Sequence, residues 1–217
     1  MHKWMGAGLL MMSVTGSGLA QDAGLIKLPP PEMTGGMPLM QALKARHSAR
    51  EFASKALPPQ VLSNLLWAAS GVNRPDSGKR TAPSARDWRE IDVYVVTAEG
   101  AYRYDPPTHT LKRVVAGDLR RQTGVQDFVA TAPANLVYVA DHERVSAEDD
   151  AERRARFIAA DAGFIAQNVY LFCASAGLAA VVRGLFDHKA LGKALQLGSH
   201  HRIILAQSVG YPAAPRQ

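Results

Sequence analysis

The sequence predicts an α+β fold in which a mixed, mainly antiparallel sheet is flanked by helices. Three observations lead to this class. Helical and strand patterns alternate along the chain, turn residues separate three short strands, and one long segment is apolar on two faces. The 217 residues, 47% of them hydrophobic, are enough to form one packed core. Because the sequence shows no internal repeat, fibrous and repeat architectures are excluded.

The first 20 residues have the pattern of a signal peptide. Lys3 provides a basic start, an apolar stretch follows over 4–14, and the small residues Gly18 and Ala20 mark a cleavage site. The apolar stretch is shorter than the roughly 18 residues that a membrane span needs. We therefore expect cleavage after Ala20, a periplasmic or secreted protein, and no membrane span. The alternative is an N-terminal extension of a cytoplasmic protein.

The charge pattern argues against a nucleic-acid-binding protein, and the cysteine content argues against a fold held together by disulfides. The formal net charge is +6, but the basic residues are scattered and form no stripe, so we expect no nucleic-acid partner. The one cysteine, Cys173, rules out an intramolecular disulfide. Its neighbours are apolar, which favours a buried hydrophobic role over a nucleophilic one.

The rest of the chain divides into an extended leader over 21–36 and one domain over 37–217. The leader contains a Pro-rich stretch, 28–31, which is typical of an extended arm. Two amphipathic helices follow, over 39–45 and over 58–71. The second has proline at its start and glycine at its end, which are the residues favoured there.

The predicted sheet contains six short strands that are rich in β-branched and aromatic residues. They cover residues 91–97, 101–105, 111–115, 135–140, 179–183 and 203–209. Glu99-Gly100 and Pro106-Pro107 punctuate the first three strands as turns, so these strands form an antiparallel meander.

The longest predicted helix begins at Ser146, where Asp149 completes a capping box, and runs to Gly177. Its apolar residues form two adjoining faces. The first face contains Ile158, Ala162, Ile165, Val169, Phe172 and Ala176, and the second contains Phe157, Phe164 and Leu171. In a domain this small, a second copy of the chain is the simplest partner for the second face. The pattern therefore predicts a homodimer.

Most standard catalytic motifs are absent from the sequence. The expected mature chain has no G-x-S-x-G, no phosphate-loop motif, no H-E-x-x-H and no G-x-G-x-x-G. Nucleophile-elbow hydrolases, phosphate-loop enzymes, zincins and Rossmann dehydrogenases are therefore excluded. His200 and His201 are adjacent, so on a strand they would face opposite ways, and no acid or thiol accompanies them in sequence. We expect no metal site.

Three segments remain as candidates for a binding site. In the first, Arg46, Ser48 and Arg50 alternate, so an extended backbone would place two guanidiniums and a hydroxyl on one side, as an anion requires. The alternative is an ordinary solvated turn after a helix. The second segment is the polar loop over 81–89. The third, 181–184, is a strand that ends in glycine, which suits either a closely bound ligand or a simple turn.

In combination these segments resemble the nitroreductase family of FMN-dependent oxidoreductases, close to its short, azoline-dehydrogenase-like branch. The resemblance spans about residues 37–212. The stretch from Arg46 to Phe52 is similar to the family's R-R-S-x-R-x-F. The other matching segments are Leu65 to Gly71, Pro83-Ser84-Ala85, Asp161-Ala162-Gly163, Ala166-Gln167-Asn168, Gly177-Leu178, Arg183-Gly184, and Val209-Gly210-Tyr211-Pro212.

The resemblance implies an intertwined homodimer with two flavins at its interface. The residues that it assigns to FMN lie in five places along the chain. They are Arg46, His47, Ser48 and Arg50 at the phosphate and ribityl chain; Pro83, Ser84 and Asp87 from the other subunit at the isoalloxazine; Gln126 at its pyrimidine edge; Val181, Val182, Arg183 and Gly184 along the flavin; and Arg216 at the phosphate. The backbone N–H of Gly184 would point at flavin N5.

The activity implied is ping-pong hydride transfer from a reductant such as NAD(P)H, through FMN, to an acceptor such as a nitroaromatic or a quinone. The cofactor carries the chemistry, so no side chain is expected to be a catalytic nucleophile. Two alternatives remain: a flavin-dependent dehydrogenase that oxidises a small molecule or peptide, and a non-catalytic flavin-binding module.

This chain departs from the family pattern at three positions. His47 replaces an arginine, Asp87 stands where asparagine is commoner, and Arg89 stands where glutamine is common. An Asp87 that faced the flavin would lower the reduction potential or carry a proton itself. Alternatively, Asp87 pairs with Arg86 or Arg89 and has little electrostatic effect.

Overall fold

The computed structural model describes residues 24–147 and 150–214. The predicted signal peptide and its cleavage site lie outside the described residues, as do Asp149 and Arg216.

The domain is built on a seven-stranded sheet with the strand order β1-β6-β5-β4-β7-β9-β8. Its strands are β1 (Leu25–Lys27), β4 (Ile91–Val96), β5 (Gly100–Asp105), β6 (Thr110–Ala116), β7 (Ala134–Asp141), β8 (Ala179–Arg183) and β9 (His201–Gly210). Each of the six pairings is antiparallel. A separate ribbon pairs β2 (Val72–Arg74) with β3 (Lys79–Arg80). The predicted α+β class and the predicted meander are confirmed.

Five α-helices accompany the sheet. They are α1 (Leu39–Ala45), α2 (Pro59–Ser70), α3 (Phe128–Thr131), α4 (Ala151–Ser175) and α5 (His188–Ala194). The first two match their predicted positions, whereas α3 and α5 are short and were not predicted. Gly71 follows the end of α2, as its sequence pattern indicated.

The predicted start of the longest helix is wrong. α4 begins five residues after Ser146, and its N-cap is Asp150, whose carboxylate accepts a hydrogen bond from the Arg153 N–H. Asp150 has an extended backbone immediately before the first helical turn, so its carboxylate reaches an N–H group that the helix itself leaves unpaired. At the other end, Gly177 adopts a left-handed backbone with a φ of 66° and ends the helix as predicted.

α4 lies against the centre of the sheet together with α2. Ile158, Ala162, Ile165 and Val169 are buried, which confirms the first predicted apolar face up to Val169, whereas Phe172 is half-buried and Ala176 is exposed. On the second face Phe164 is 46% exposed.

By length and composition α4 is also long and apolar enough to cross a membrane. Its buried stripe packs into the main core cluster, as a helix does within its own domain.

The leader is docked on the domain instead of extending from it as an arm. β1 pairs with β6 at one edge of the sheet, and Leu28 is buried. Ser63 donates a hydrogen bond of 2.6 Å to the Pro29 carbonyl oxygen, and its Oγ lies 2.7 Å from Nε2 of His109. Tyr104 Oη lies 2.8 Å from Nδ1 of the same imidazole. A neutral His109 fits these contacts, because Nδ1 then accepts a hydrogen bond from Tyr104 and Nε2 donates one to Ser63. Burial lowers the pKa of His109, which favours this neutral form.

Replacing Ser63 should loosen the leader. Ser63→Ala removes the buried hydroxyl that joins α2 to Pro29, so we expect the free energy of unfolding to fall by about 1 kcal/mol. Urea denaturation measures this change, and limited proteolysis should show faster cleavage in the leader. Ser77→Ala is the matched control, because Ser77 is exposed and its hydroxyl makes one hydrogen bond, of 3.4 Å. Equal stability of the two variants would contradict the docking role.

Candidate functional site at the edge of the sheet

The candidate site is built on the outer edge of β8. This strand ends the sheet and pairs with β9 alone among the described strands, so half of its backbone groups face away from the sheet. The segment over 46–50 runs beside this edge, and the Ala49 N–H donates to the Ala180 carbonyl at 2.9 Å. Two residues further along, the Val182 N–H donates to the Tyr170 hydroxyl oxygen at 2.8 Å.

Gly184 continues this row of groups just beyond the strand. Its N–H belongs to the peptide group of Arg183, the last residue of β8, so the alternation of amide groups along the strand still applies and points this N–H toward the same edge as that of Val182. Among the described residues nothing accepts this N–H, and Gly184 is exposed. No atom lies within 4 Å of the place where a Cβ would stand. The edge therefore ends in a free backbone donor beside open space.

Tyr170 connects this edge to the basic segment. Its hydroxyl lies 2.9 Å from Ser48 Oγ, and the Arg46 guanidinium carbon lies 5.4 Å from the centre of its ring. Arg46 and Ser48 thus reach the same side of the segment, as their alternation predicted. Sequence reasoning missed Tyr170, although one signal was present, since its hydroxyl falls between the apolar residues Val169 and Leu171 of this helix.

A cavity of about 200 Å³ lies under this edge, next to Tyr170. His47 and Cys173 line it together with small residues. Cys173 is 1% exposed, and burial raises the pKa of its thiol far above the ordinary range. The thiol therefore stays protonated, which confirms its predicted role as a buried hydrophobic residue.

Arg50 lines a neighbouring open cleft of about 540 Å³ with Phe128 and Asp127. Arg50 has no direct contact with Tyr170 among the described hydrogen bonds and ring contacts. The structure therefore places Arg46 and Ser48 at Tyr170 and Arg50 in the neighbouring cleft. Gln126 precedes α3 at the side of this cleft. Its Oε1 is buried and has no donor within the described part of the chain.

Arg183 points away from the edge, into the domain. Its guanidinium donates to the Thr123 carbonyl at 2.5 Å and to Asn135 Oδ1 at 2.9 Å, and the residue is 5% exposed. Burial without a carboxylate partner lowers its pKa to about 10. Arg183 therefore anchors the end of β8 to the loop before α3, while the free edge beside it is formed by the backbone N–H groups of Val182 and Gly184.

The polar loop over 83–89 is held at a different place, on the N-terminal half of α4. The Ala85 N–H donates to Asp161 Oδ2 at 2.8 Å. Asp161 and Tyr170 are nine residues apart on this helix, which corresponds to about 13 Å. The described hydrogen bonds do not bring the loop to the Ser48 side of β8 within one chain, as expected if it serves the site of another subunit.

Asp87 is paired with Arg89, which is the second of the two predicted alternatives. Arg89 Nε and Nη2 lie 2.8 and 2.5 Å from the two carboxylate oxygens. This hydrogen bonding holds the pKa of Asp87 below its ordinary value, so the group stays ionised and carries its own counter-charge.

The prediction that His200 and His201 face opposite ways, with no acid beside them, is wrong. Their ring centres lie 4.0 Å apart, and Asp141 joins them, with one ligand atom from each of the three within 4.8 Å of the others. The reason is that β9 begins at His201, so His200 lies in the preceding turn and strand alternation does not apply. Arg144 Nε lies 2.9 Å from Asp141 Oδ2 and already supplies a positive charge there.

Known proteins share both the sequence pattern and the fold. The model of the nitroreductase family matches residues 43–211. A Methanocaldococcus jannaschii protein named "putative nitroreductase" is 30% identical over 177 residues, which cover 77% of this chain and 88% of that protein. The crystal structure of a "putative nitroreductase" from Ralstonia eutropha is 48% identical, covers 96% of this chain and 97% of its own, and superposes with a TM-score of 0.84.

A third relative shares the fold alone. A chain of the Escherichia coli microcin synthetase complex is 19% identical and superposes with a TM-score of 0.69. The match covers 95% of this chain and 85% of that one.

Proposed function

This chain belongs to the nitroreductase family and is an oxidoreductase, and we propose that it binds one FMN per subunit and transfers hydride between a reductant and an acceptor. The observation that carries the proposal is the free Gly184 N–H at the end of the β8 edge, along which Tyr170 holds Ser48. Bound FMN supplies the hydride chemistry at its N5 atom.

The groups present suit a phosphorylated flavin. Arg46 and Arg50 offer guanidiniums and Ser48 a hydroxyl, which fit a phosphate and a ribityl chain. The Gly184 N–H fits a ring nitrogen that accepts, and the buried Oε1 of Gln126 fits a ring N–H that donates. These residues would hold the cofactor.

The roles of this chain's residues are binding and positioning. Tyr170 fixes Ser48 relative to β8, since its hydroxyl bonds both Ser48 and the Val182 N–H. Cys173 stays protonated and buried, so no described thiol is placed to act as a nucleophile. We infer that one exposed edge serves the donor and the acceptor in turn, which is ping-pong exchange. NAD(P)H or another reductant would precede a nitroaromatic, quinone or similar acceptor.

An apolar surface supports assembly into a homodimer. Met40 and Leu39 of α1 are 76% and 63% exposed, and Leu43 and Phe164 are also exposed. Leu39, Met40 and Leu43 lie together on α1, which packs on α4 and leads directly into the 46–50 segment. Exposed apolar side chains grouped in this way are typical of a subunit interface. A second copy would cover it and bring the partner's 83–89 loop to the flavin.

The cofactor proposal predicts a phosphate-dependent affinity. The purified protein should show flavin absorbance after addition of FMN and should bind FMN more tightly than riboflavin. Arg50→Ala should weaken FMN binding by about 1.5–3 kcal/mol, or about 10- to 150-fold, because a charge-assisted contact to phosphate is lost. Fluorescence titration measures both affinities.

Arg113→Ala is the matched control, since Arg113 lies on β6 and stacks over Tyr102, away from β8. Equal affinity for riboflavin and FMN would show that no phosphate contact exists.

The assembly proposal predicts joint loss of dimer and flavin. Met40→Asp places a charge in the apolar surface, so light scattering should show a monomer and FMN binding should disappear with it. Leu25→Asp is the control, because Leu25 is 49% exposed on the opposite edge strand. A monomeric Met40→Asp variant that still binds FMN would contradict a shared site.

We also propose export, on the basis of Lys3, the apolar stretch over 4–14 and the small residues before Gln21. The protein in its native host should begin at Gln21 and lie outside the cytoplasm, where it would need a donor other than the bulk nicotinamide pool. N-terminal sequencing of fractionated cells measures this. An intact Met1 on cytosolic protein would refute export and favour NAD(P)H.

A further inference from the structure

Two carboxyl groups are buried behind the 83–89 loop and have no role in the site described above. Glu90, at the entry to β4, is fully buried, and Asp161 on α4 is 3% exposed. Each accepts a hydrogen bond from the loop. Ser84 Oγ donates to Glu90 Oε2 at 3.2 Å, and the Ala85 N–H donates to Asp161 Oδ2 at 2.8 Å.

The two carboxyl groups line the same small cavity, together with Ser84. Glu90 Oε1 is buried and has no donor among the described residues, and a proton shared with Asp161 would satisfy it. Two adjacent carboxylates repel when both are ionised, so such a pair titrates as a unit and retains one proton. Burial raises the pKa of both groups, that of Glu90 to about 7.

Among the described ion pairs, none joins a cation to either carboxyl group. A cavity of about 10 Å³ lies beside the pair, at the lower limit for one water molecule. Arg80 also lines this cavity, but its described side-chain hydrogen bond goes to Ser70 Oγ, at 3.4 Å.

The other cations of this region are directed elsewhere: Arg86 is exposed and lies over the Trp88 ring, and Arg89 and Arg144 pair with acids outside the pair. Arg89 pairs with Asp87, and Arg144 pairs with Asp92 and Asp141. A proton is therefore what balances the charge of the pair.

The loop that the pair holds is strained. Arg86, Asp87 and Arg89 have left-handed backbones, with φ values of 52°, 58° and 51°, which non-glycine residues rarely adopt. Such a conformation persists only where neighbouring contacts fix it. Ser84 Oγ accepts a hydrogen bond from the Arg89 N–H at 2.8 Å and donates one to Glu90. Glu90 thus holds Ser84 and, through it, Arg89, while Asp161 holds the Ala85 N–H.

We propose that Glu90 and Asp161 share one proton and thereby act as positioning residues, holding the Ser84–Ala85 turn where it meets the flavin of the other subunit. This inference rests on the proposed function, which places the turn at the flavin. As the pH rises, loss of the shared proton leaves two neighbouring carboxylates buried together. One of them turns away, the turn loses an anchor, and flavin affinity falls.

The test uses Glu90→Gln, which cannot ionise. Its amide donates to Asp161 while its carbonyl accepts from Ser84, so the variant keeps the protonated arrangement at every pH. FMN affinity is measured from pH 5.5 to 8.5 on the full-length protein. The ratio of the wild-type Kd to the Glu90→Gln Kd should rise about tenfold across this range. Ionisation of the FMN phosphate affects both proteins and cancels in the ratio.

Glu99→Gln is the matched control, because Glu99 is exposed and bonds Thr97 on the β4–β5 turn. Its Kd should follow that of the wild type at every pH. Asp161→Asn removes the other ionisable member and should reproduce the flat profile if Glu90→Gln folds poorly. Parallel pH profiles for the wild type and the pair variants would overturn the positioning role.

Two further readouts separate this inference from the proposed function. The infrared spectrum of the wild type should contain a protonated carboxyl band at pH 6 that is absent at pH 8.5 and absent from Glu90→Gln. The raised pKa also means that the wild type loses stability relative to Glu90→Gln as the pH rises from about 4.5 through about 7, which melting temperatures report. Absence of the band and of this stability difference would overturn the shared proton itself. Failure of the wild type to bind FMN at any pH would overturn the proposed function, whatever the band shows.

Discussion

The unpaired edge of β8 is the constraint on which the site depends. A strand that ends a sheet leaves every second N–H and C=O without a partner, and buried backbone groups must be satisfied. Here the Ala180 carbonyl is bonded by the 46–50 segment and the Val182 N–H by Tyr170. The 46–50 segment and α4, which carries Tyr170, therefore both lie along this edge. The Gly184 N–H remains available for a ligand at the end of the edge.

Arg183 and the Glu90–Asp161 pair are buried polar groups that hold the end of β8 and the 83–89 loop in place. They avoid the cost of an isolated buried charge in different ways. Arg183 disperses its charge over neutral acceptors, Thr123 and Asn135, so the end of β8 is tied to the loop before α3. Glu90 and Asp161 have no cation partner among the described ion pairs and lie beside one small cavity, where the proposed shared proton balances their charge. α4 carries both Asp161 and Tyr170, so one rigid helix sets the position of the 83–89 loop relative to the strand edge.

Local patterns were sufficient for most of the elements. Proline before α2 and glycine after it fixed both ends of that helix, because these residues act through backbone conformation and need no distant partner. The start of α4 was misread, because Ser146 and Asp150 both have side chains able to cap and only the chain path selects between them. α5 and β1 are too short for periodicity to reveal them.

The sequence by itself determined the fold class, the family, the apolar face of α4 and the alternation of Arg46 and Ser48, because these follow from residue order and backbone periodicity. Only the tertiary structure decided which groups meet. It joined Tyr170 to Ser48 across 122 positions of the chain, and Asp161 to Ala85 across 76. It also separated Arg50 from that group and placed Asp141 beside His200. Contacts between residues distant in sequence depend on how helices pack on the sheet, and no local pattern records that packing.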